Sequence, residues 1–243
     1  MKLACASGAF HRAIERGDLT QLEFVDLCAR EFACDGVVLD VRHFPRNDDD
    51  YLAQIKKMTA DRGLSVAALA DPAFFAPSRQ GRAGVLETAR VLGAPIVAAP
   101  LAPETGCSWS EQLAVLHEAT ASAKAENVTL ALRNAPQTFA ASSYDCKRAA
   151  KETDSAWLRF GPDPGCLGAG DDPALLAPNT VLLWAGAGST AEAIGATLDA
   201  FAGFLGHLTV DDAAGEADAG AVRAAMRAWR LALSRRELDS TAQ

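Results

Sequence analysis

DGVVLDVRHFPR, residues 35–46, is the stretch whose reading decides the fold. Gly36–Leu39 and Val41 form an apolar run around a single Asp40, and the run passes straight into Arg42, His43, Phe44 and Pro45. A continuous apolar run marks a strand covered on both faces, as in a parallel sheet. Charged residues collected at its C-terminal end stand where α/β folds place their ligands. The stretch predicts a buried parallel strand that delivers chemistry at one end.

The same unit repeats on either side. Lys2–Ser7 is a short apolar run before the helical segment Thr20–Glu31, which opens on a T-x-x-E capping box made by Thr20 and Glu23. After Val37–Val41 come a helix near Asp50–Asp61 stopped by Gly63, the run Leu64–Ala70, and a helix Gly81–Leu92 ended by Gly93. Ala94–Ala99 follows, then a helix Ser108–Glu126 opened by Ser108 and Glu111, the run Val128–Leu132 and a helix Tyr144–Lys151. The second half offers Ala156–Phe160, a short helix Pro173–Leu176, Thr180–Trp184, a helix capped by Ser189 and Glu192 and running through Phe201, His207–Val210 and a closing helix Ala217–Ser234. Eight such units in 243 residues predict the α/β class and a single (β/α)8 TIM barrel rather than an open doubly wound sheet. One domain is expected over residues 1–239, with a polar, frayed tail at 240–243.

Composition narrows the partners. A net charge of −8 argues against a broad nucleic-acid footprint. No stretch approaches the roughly 20 apolar residues of a membrane span, and the apolar run after Met1 is too short for a signal peptide, so a cytoplasmic protein is expected. The six cysteines contain no CxxC pair, which indicates neither a disulfide framework nor a structural zinc site.

The order of units, DGVVLDVRHFP at the second strand, DRGLSVAAL at 61–69, ARVLGAPIV at 89–97 and LALRN at 130–134 resemble the sugar phosphate isomerase/epimerase family, the xylose-isomerase-like barrels. The resemblance spans essentially the whole chain, closely in the first half and as pattern in the second. It implies a divalent metal at the barrel mouth, held by a Glu, an Asp, a His and a Glu at the ends of strands five to eight. Here those positions fall on Arg133, on Asp163 of the Asp163–Cys166 run, near Ala185, and on Asp211. A guanidinium cannot ligate a cation, and the His is missing twice, at Cys166 and at Ala185. The resemblance therefore implies an isomerase- or epimerase-like barrel acting on or binding a small anionic sugar or sugar phosphate, with no cofactor expected. A Mn²⁺ or Mg²⁺ ion would require the family site in altered form.

If the strand ends converge, Arg42, His43, Arg133, Asn134, Arg159, Asp163 and Asp211 meet at one mouth. Guanidinium groups grip carboxylate or phosphate in a bidentate fork, which suits a small anionic sugar-type ligand bound by Arg42, Arg133, Asn134 and Arg159. His43, with Asp163 and Asp211, is the expected proton carrier. Plainer readings stand beside these: Arg133 paired internally with Asp163 or Asp211, His43 capping the loop before Pro45, and Arg159 pointing outward. His11 lies in the first loop, while His117 and His207 read as structural. Gly186–Ser189 forms a glycine-rich turn before a helix, an arrangement that attracts anions. Besides the isomerase, a silent barrel that binds a small anion or partners an active subunit fits the lost ligands, and a lyase or hydrolase fits the ionisable strand ends.

Overall fold

In the computed structural model, which describes residues 1–241, eight parallel strands form one sheet. They are β1 (Lys2–Ala6), β2 (Gly36–Asp40), β3 (Ser65–Ala70), β4 (Ile96–Pro100), β5 (Thr129–Arg133), β6 (Leu158–Phe160), β7 (Leu182–Gly186) and β8 (His207–Asp211). Their order is β6-β5-β4-β3-β2-β1-β8-β7. The two ends of that order meet: Val181 N–H donates to Phe160 O and Trp184 N–H to Pro162 O, each at 2.9 Å, so the sheet comes round on itself as a nearly closed barrel.

Helices fill the connections: α1 (His11–Glu15), α2 (Gln21–Leu27), α3 (Asp49–Asp61), α4 (Arg82–Leu92), α5 (Trp109–Glu126), α6 (Ser143–Thr153), α7 (Ala191–Ala200) and α8 (Ala219–Thr241). Both expected capping boxes form, and Ser142 with Asp145 makes another at α6. Gly93 ends α4 with φ of 73°, a left-handed conformation that costs glycine little. Three expectations are corrected. The helix at Pro173–Leu176 is two 3₁₀ turns, Pro173–Leu175 and Ala177–Asn179, because Pro173 and Pro178 bring no N–H donors to a longer ladder. Thr190 caps α7, while Ser189 instead bonds back to Gly186 O at 2.7 Å. The closing helix continues through Thr241, so Ser240 and Thr241 of the expected tail are helical, and residues 242–243 lie outside the described residues.

Side-chain alternation along each strand sorts the core into two layers. Leu3, Cys5, Val37, Leu39, Leu130, Leu132, Leu208 and Val210 pack outward with helix residues such as Phe24, Ile55, Leu86, Leu116 and Trp229. Ala4, Ala6, Val38, Ala68, Ala98, Ala131, Leu182 and Trp184 pack inward. The inner layer is mostly alanine, which leaves room for one indole. Continuing the same alternation puts Asp40 on the face of Val38, Arg133 on the face of Ala131 and Asp211 on the face of Thr209. That is what brings polar groups over the barrel axis. No helix among the described residues is long and apolar enough to cross a membrane.

Candidate active site at the barrel mouth

Arg133 ends β5 and reaches across the mouth. Its Nη1 donates to Asp211 Oδ2 at 2.7 Å and its Nη2 to Asp163 Oδ2 at 2.8 Å, while its guanidinium lies over the Trp184 ring at 4.0 Å. Burial opposes the charge, but Asp211 and Asp163 outweigh it and hold the guanidinium above its ordinary range. Asn134 fastens the loop after β6: its Nδ2 donates to Asp163 O at 3.0 Å, and Asp163 N–H donates to Asn134 Oδ1 at 2.7 Å. Asn134 thus fixes the height of the Asp163 carboxylate. Cys166, beside it, has its thiol pushed up to about 11 by burial and then by Asp163, so it stays protonated near neutrality.

A second cluster grows from β1 and β2. Asp40 caps the turn Val41–His43 and takes Arg42 in a fork, Nε at 3.0 Å and Nη2 at 2.6 Å. His43 is buried, 5% exposed, with Nδ1 2.9 Å from Ser7 Oγ and Nε2 2.9 Å from His11 Nδ1. Asp71, just past β3, accepts from Arg79 Nε at 3.0 Å and Nη2 at 2.8 Å, both on its Oδ2. Gly8 lets this wall come close, since a Cβ there would stand 3.2 Å from Asp211 Oδ1 and 3.9 Å from Asp40 Oδ2.

Desolvation lowers the His43 pKa from 6.5 to about 4, against the pull of Asp40. The unfolded chain then binds a proton that the folded chain refuses. Stability contributed by neutral His43 is whole above pH 6.5, falls as pH drops through the window from 6.5 to about 4, and is flat below it. Wild type should lose up to about 3 kcal/mol across that window from this group. Urea unfolding of wild type and His43→Gln at several pH values checks it; equal slopes in the two proteins would remove His43 as the cause.

Solved structures with this architecture place the chain. It superposes on D-psicose 3-epimerase from Clostridium cellulolyticum with a TM-score of 0.77 at 12% identity, covering 95% of this chain and 99% of that one. An L-ribulose 3-epimerase gives 0.73 at 18% identity over 98% of both chains, and the IOLI protein, solved with a bound zinc atom, gives 0.73 at 17% over 95% of both. The chain shares with them the fold of an eight-stranded parallel α/β barrel. No family model and no curated protein matches the sequence itself.

Within that fold a divalent ion is the group to test. The donors do not fit one: Asp163 and Asp211 are bridged by a cationic side chain, and among the described residues no group of three or more His, Cys, Asp or Glu is placed to hold a metal. The expected strand-seven position is also corrected. Ala185 packs outward with the helices, and the inward residue at that level is Trp184, because alternation puts it on the face of Leu182.

Of the expected mouth residues, Arg42, His43, Arg133, Asn134, Asp163 and Asp211 do gather, whereas Arg159 does not. Arg159 lines a cavity of about 340 Å³ with Lys147, Lys151, Asp154 and Asn179, where α6 ends and β6 begins, at the opposite end of the barrel. The expected basic pocket is changed accordingly. Three guanidiniums, of Arg42, Arg79 and Arg133, meet the four carboxylates of Asp40, Asp71, Asp163 and Asp211, leaving an excess of one negative charge. Sequence reasoning passed over Ser7, Trp184 and the Asp71–Arg79 pair. Asp71 had a usable sign, an acidic residue closing an apolar run just as Asp40 does.

Proposed function

We propose that this barrel takes a small sugar-type ligand at its C-terminal mouth and works without a divalent cation, Arg133 supplying the positive charge there. The observation that carries the reading is the Arg133 fork on Asp163 and Asp211, two carboxylates at positions where the resemblance expects metal ligands. Asp211 Oδ1 is buried and has no hydrogen-bond partner, an unmet acceptor that a ligand hydroxyl reaching it would satisfy. The excess of carboxylates favours a neutral polyol such as a ketose, the substrate class that the epimerase names point to, over a sugar phosphate. Epimerisation next to a carbonyl needs a proton removed and returned, and the ionisable wall formed by Asp211, His43 and His11 is suited to that. A second reading, binding without turnover, is favoured by the pairing of Asp40, Asp71, Asp163 and Asp211, each already held by an arginine.

A thermal-shift titration tests the reading with a neutral ketose, its phosphate ester, Mn²⁺ and EDTA. A ligand bound only by the native state at a hundred times its Kd stabilises by about 2.7 kcal/mol, so binding is easily seen. The ketose should stabilise wild type equally with and without EDTA, and Arg133→Lys should lose the shift because an ammonium cannot hold two carboxylates in one planar fork. No shift with any sugar, or a shift that requires Mn²⁺, overturns the proposal. Incubation with the ketose in D₂O separates the two readings: deuterium entering the carbon beside the carbonyl indicates turnover, and binding without exchange indicates the silent barrel.

A further inference from the structure

Three side chains behind Arg42 form a line that ends at the surface. Ser7 Oγ lies 2.9 Å from His43 Nδ1, and His43 Nε2 lies 2.9 Å from His11 Nδ1. The outer nitrogen, His11 Nε2, faces two groups of opposite character at the same separation. Glu15 Oε1, an acceptor, is at 3.4 Å, and Arg42 Nη1, a donor, is also at 3.4 Å.

Neutral imidazole carries one donor and one acceptor nitrogen, so two arrangements satisfy both rings. In one, Ser7 O–H donates to His43 Nδ1, His43 Nε2–H to His11 Nδ1, and His11 Nε2–H to Glu15. In the other, Arg42 donates to His11 Nε2, His11 Nδ1–H to His43 Nε2, and His43 Nδ1–H to Ser7 Oγ. Ser7 Oγ also accepts Asp40 N–H at 2.9 Å, which fixes the hydroxyl beside the ring in both arrangements.

We propose that Ser7, His43 and His11 form a proton relay with two interconvertible polarities, linking the inner wall of the barrel mouth to solvent, and that His11 rather than His43 is its exchanging end. The burial gradient fits: Ser7 is fully buried, His43 is 5% exposed, and the side chains of His11 and Glu15 are 23% and 63% exposed. In an outward step Ser7 Oγ takes a proton from a ligand hydroxyl or a water and releases its own to His43 Nδ1. The His43 Nε2 proton passes to His11 Nδ1, and the His11 Nε2 proton leaves to Glu15 or water. Each O–H or N–H bond broken is matched by one formed, and the three relay side chains keep their charge while their polarity reverses. Uptake at His11 Nε2 drives the return. The middle ring must pass a proton without storing one, and the burial that holds His43 neutral near pH 7 meets that need. Next to Ser7 in the chain, Gly8 packs against the buried, unpartnered Asp211 Oδ1, so the inner end of the line lies against the wall that carries the mouth carboxylates.

The use of the relay rests on the sugar-ligand reading, but its existence does not, so the test omits ligand. In protein labelled with ¹⁵N-histidine at pH 7, wild type should show a scalar coupling across the His43 Nε2 to His11 Nδ1 hydrogen bond and ring shifts averaged between the two tautomer limits. Glu15→Ala leaves only the Arg42 donor and should move His43 Nδ1 toward its protonated limit. Arg42→Met leaves only the Glu15 acceptor and should move it the opposite way. Absence of the coupling in wild type, or one unchanged tautomer in all three proteins, overturns the relay while leaving the ketose titration to decide the ligand on its own.

Discussion

Arg133→Ala should unfold far more easily than wild type, losing about 3–5 kcal/mol. The reason is what remains behind. Asp163 and Asp211 each have side chains only 8% exposed, and both point at the vacated guanidinium, so two like charges would face each other with little water between them. The contact over the Trp184 ring at 4.0 Å goes as well. For a chain of this size each kcal/mol moves Tm by about 2–4 °C, giving a drop of roughly 10 °C. Removing all three charges together should cost less than removing one. Arg133→Met combined with Asp163→Asn and Asp211→Asn leaves no uncompensated charge, and replacing a buried ionic network by uncharged groups is often close to neutral. Thermal and urea unfolding of the single and triple variants measure the difference. If Arg133→Ala melts with wild type, the guanidinium does not hold the two carboxylates in solution.

Trp184→Ala should cost a similar amount, about 3–5 kcal/mol, and toward the upper end. The indole is 1% exposed and belongs to the inner layer with Ala4, Ala6, Ala98 and Ala131. Those neighbours are short side chains on hydrogen-bonded strands, so they cannot swing in to fill the space, and the cost of a large-to-small change depends on how far a site can collapse. Trp184→Phe should be milder than its lost volume suggests. The buried indole Nε1–H has no partner, and a phenyl ring removes that unmet donor. Urea midpoints for the two variants, together with xenon binding to Trp184→Ala, check the argument. A Trp184→Ala protein that loses less than the Phe variant and takes up no xenon would mean the barrel interior relaxes.

Asp40 and Arg42 are two positions apart at the end of an apolar run, so their pairing is a local event that the sequence alone suggests. Arg133 meeting Asp163 and Asp211 joins groups 30 and 78 residues away in the chain, and resemblance to a family supplied that alignment where spacing could not. The strand-seven position shows the limit of alignment. A shift of one residue, from Ala185 to Trp184, turns a side chain from the helix layer to the barrel axis, because strand side chains alternate with period two. Arg159 went astray for a related reason: β6 is only Leu158–Phe160, so its middle residue is close to both ends of the barrel in sequence but only one in space. Ser7 and His11 carry no signal in the sequence, because neither stands at a patterned position.

By itself the sequence determined the elements, since apolar runs, capping boxes and terminal glycines act within a few residues of one another, and their eightfold rhythm leaves few ways to bury every run. It also determined which ionisable residues stand at strand ends. The tertiary structure decided what those residues do. Whether Arg133 reaches for a ligand or spends its fork on Asp163 and Asp211, whether the mouth is basic or balanced by Asp71, and whether His43 faces solvent or stands between Ser7 and His11 all depend on groups separated by tens of residues. Charge interactions and hydrogen bonds act over a few ångströms, so their outcome is set by distances that only barrel closure fixes.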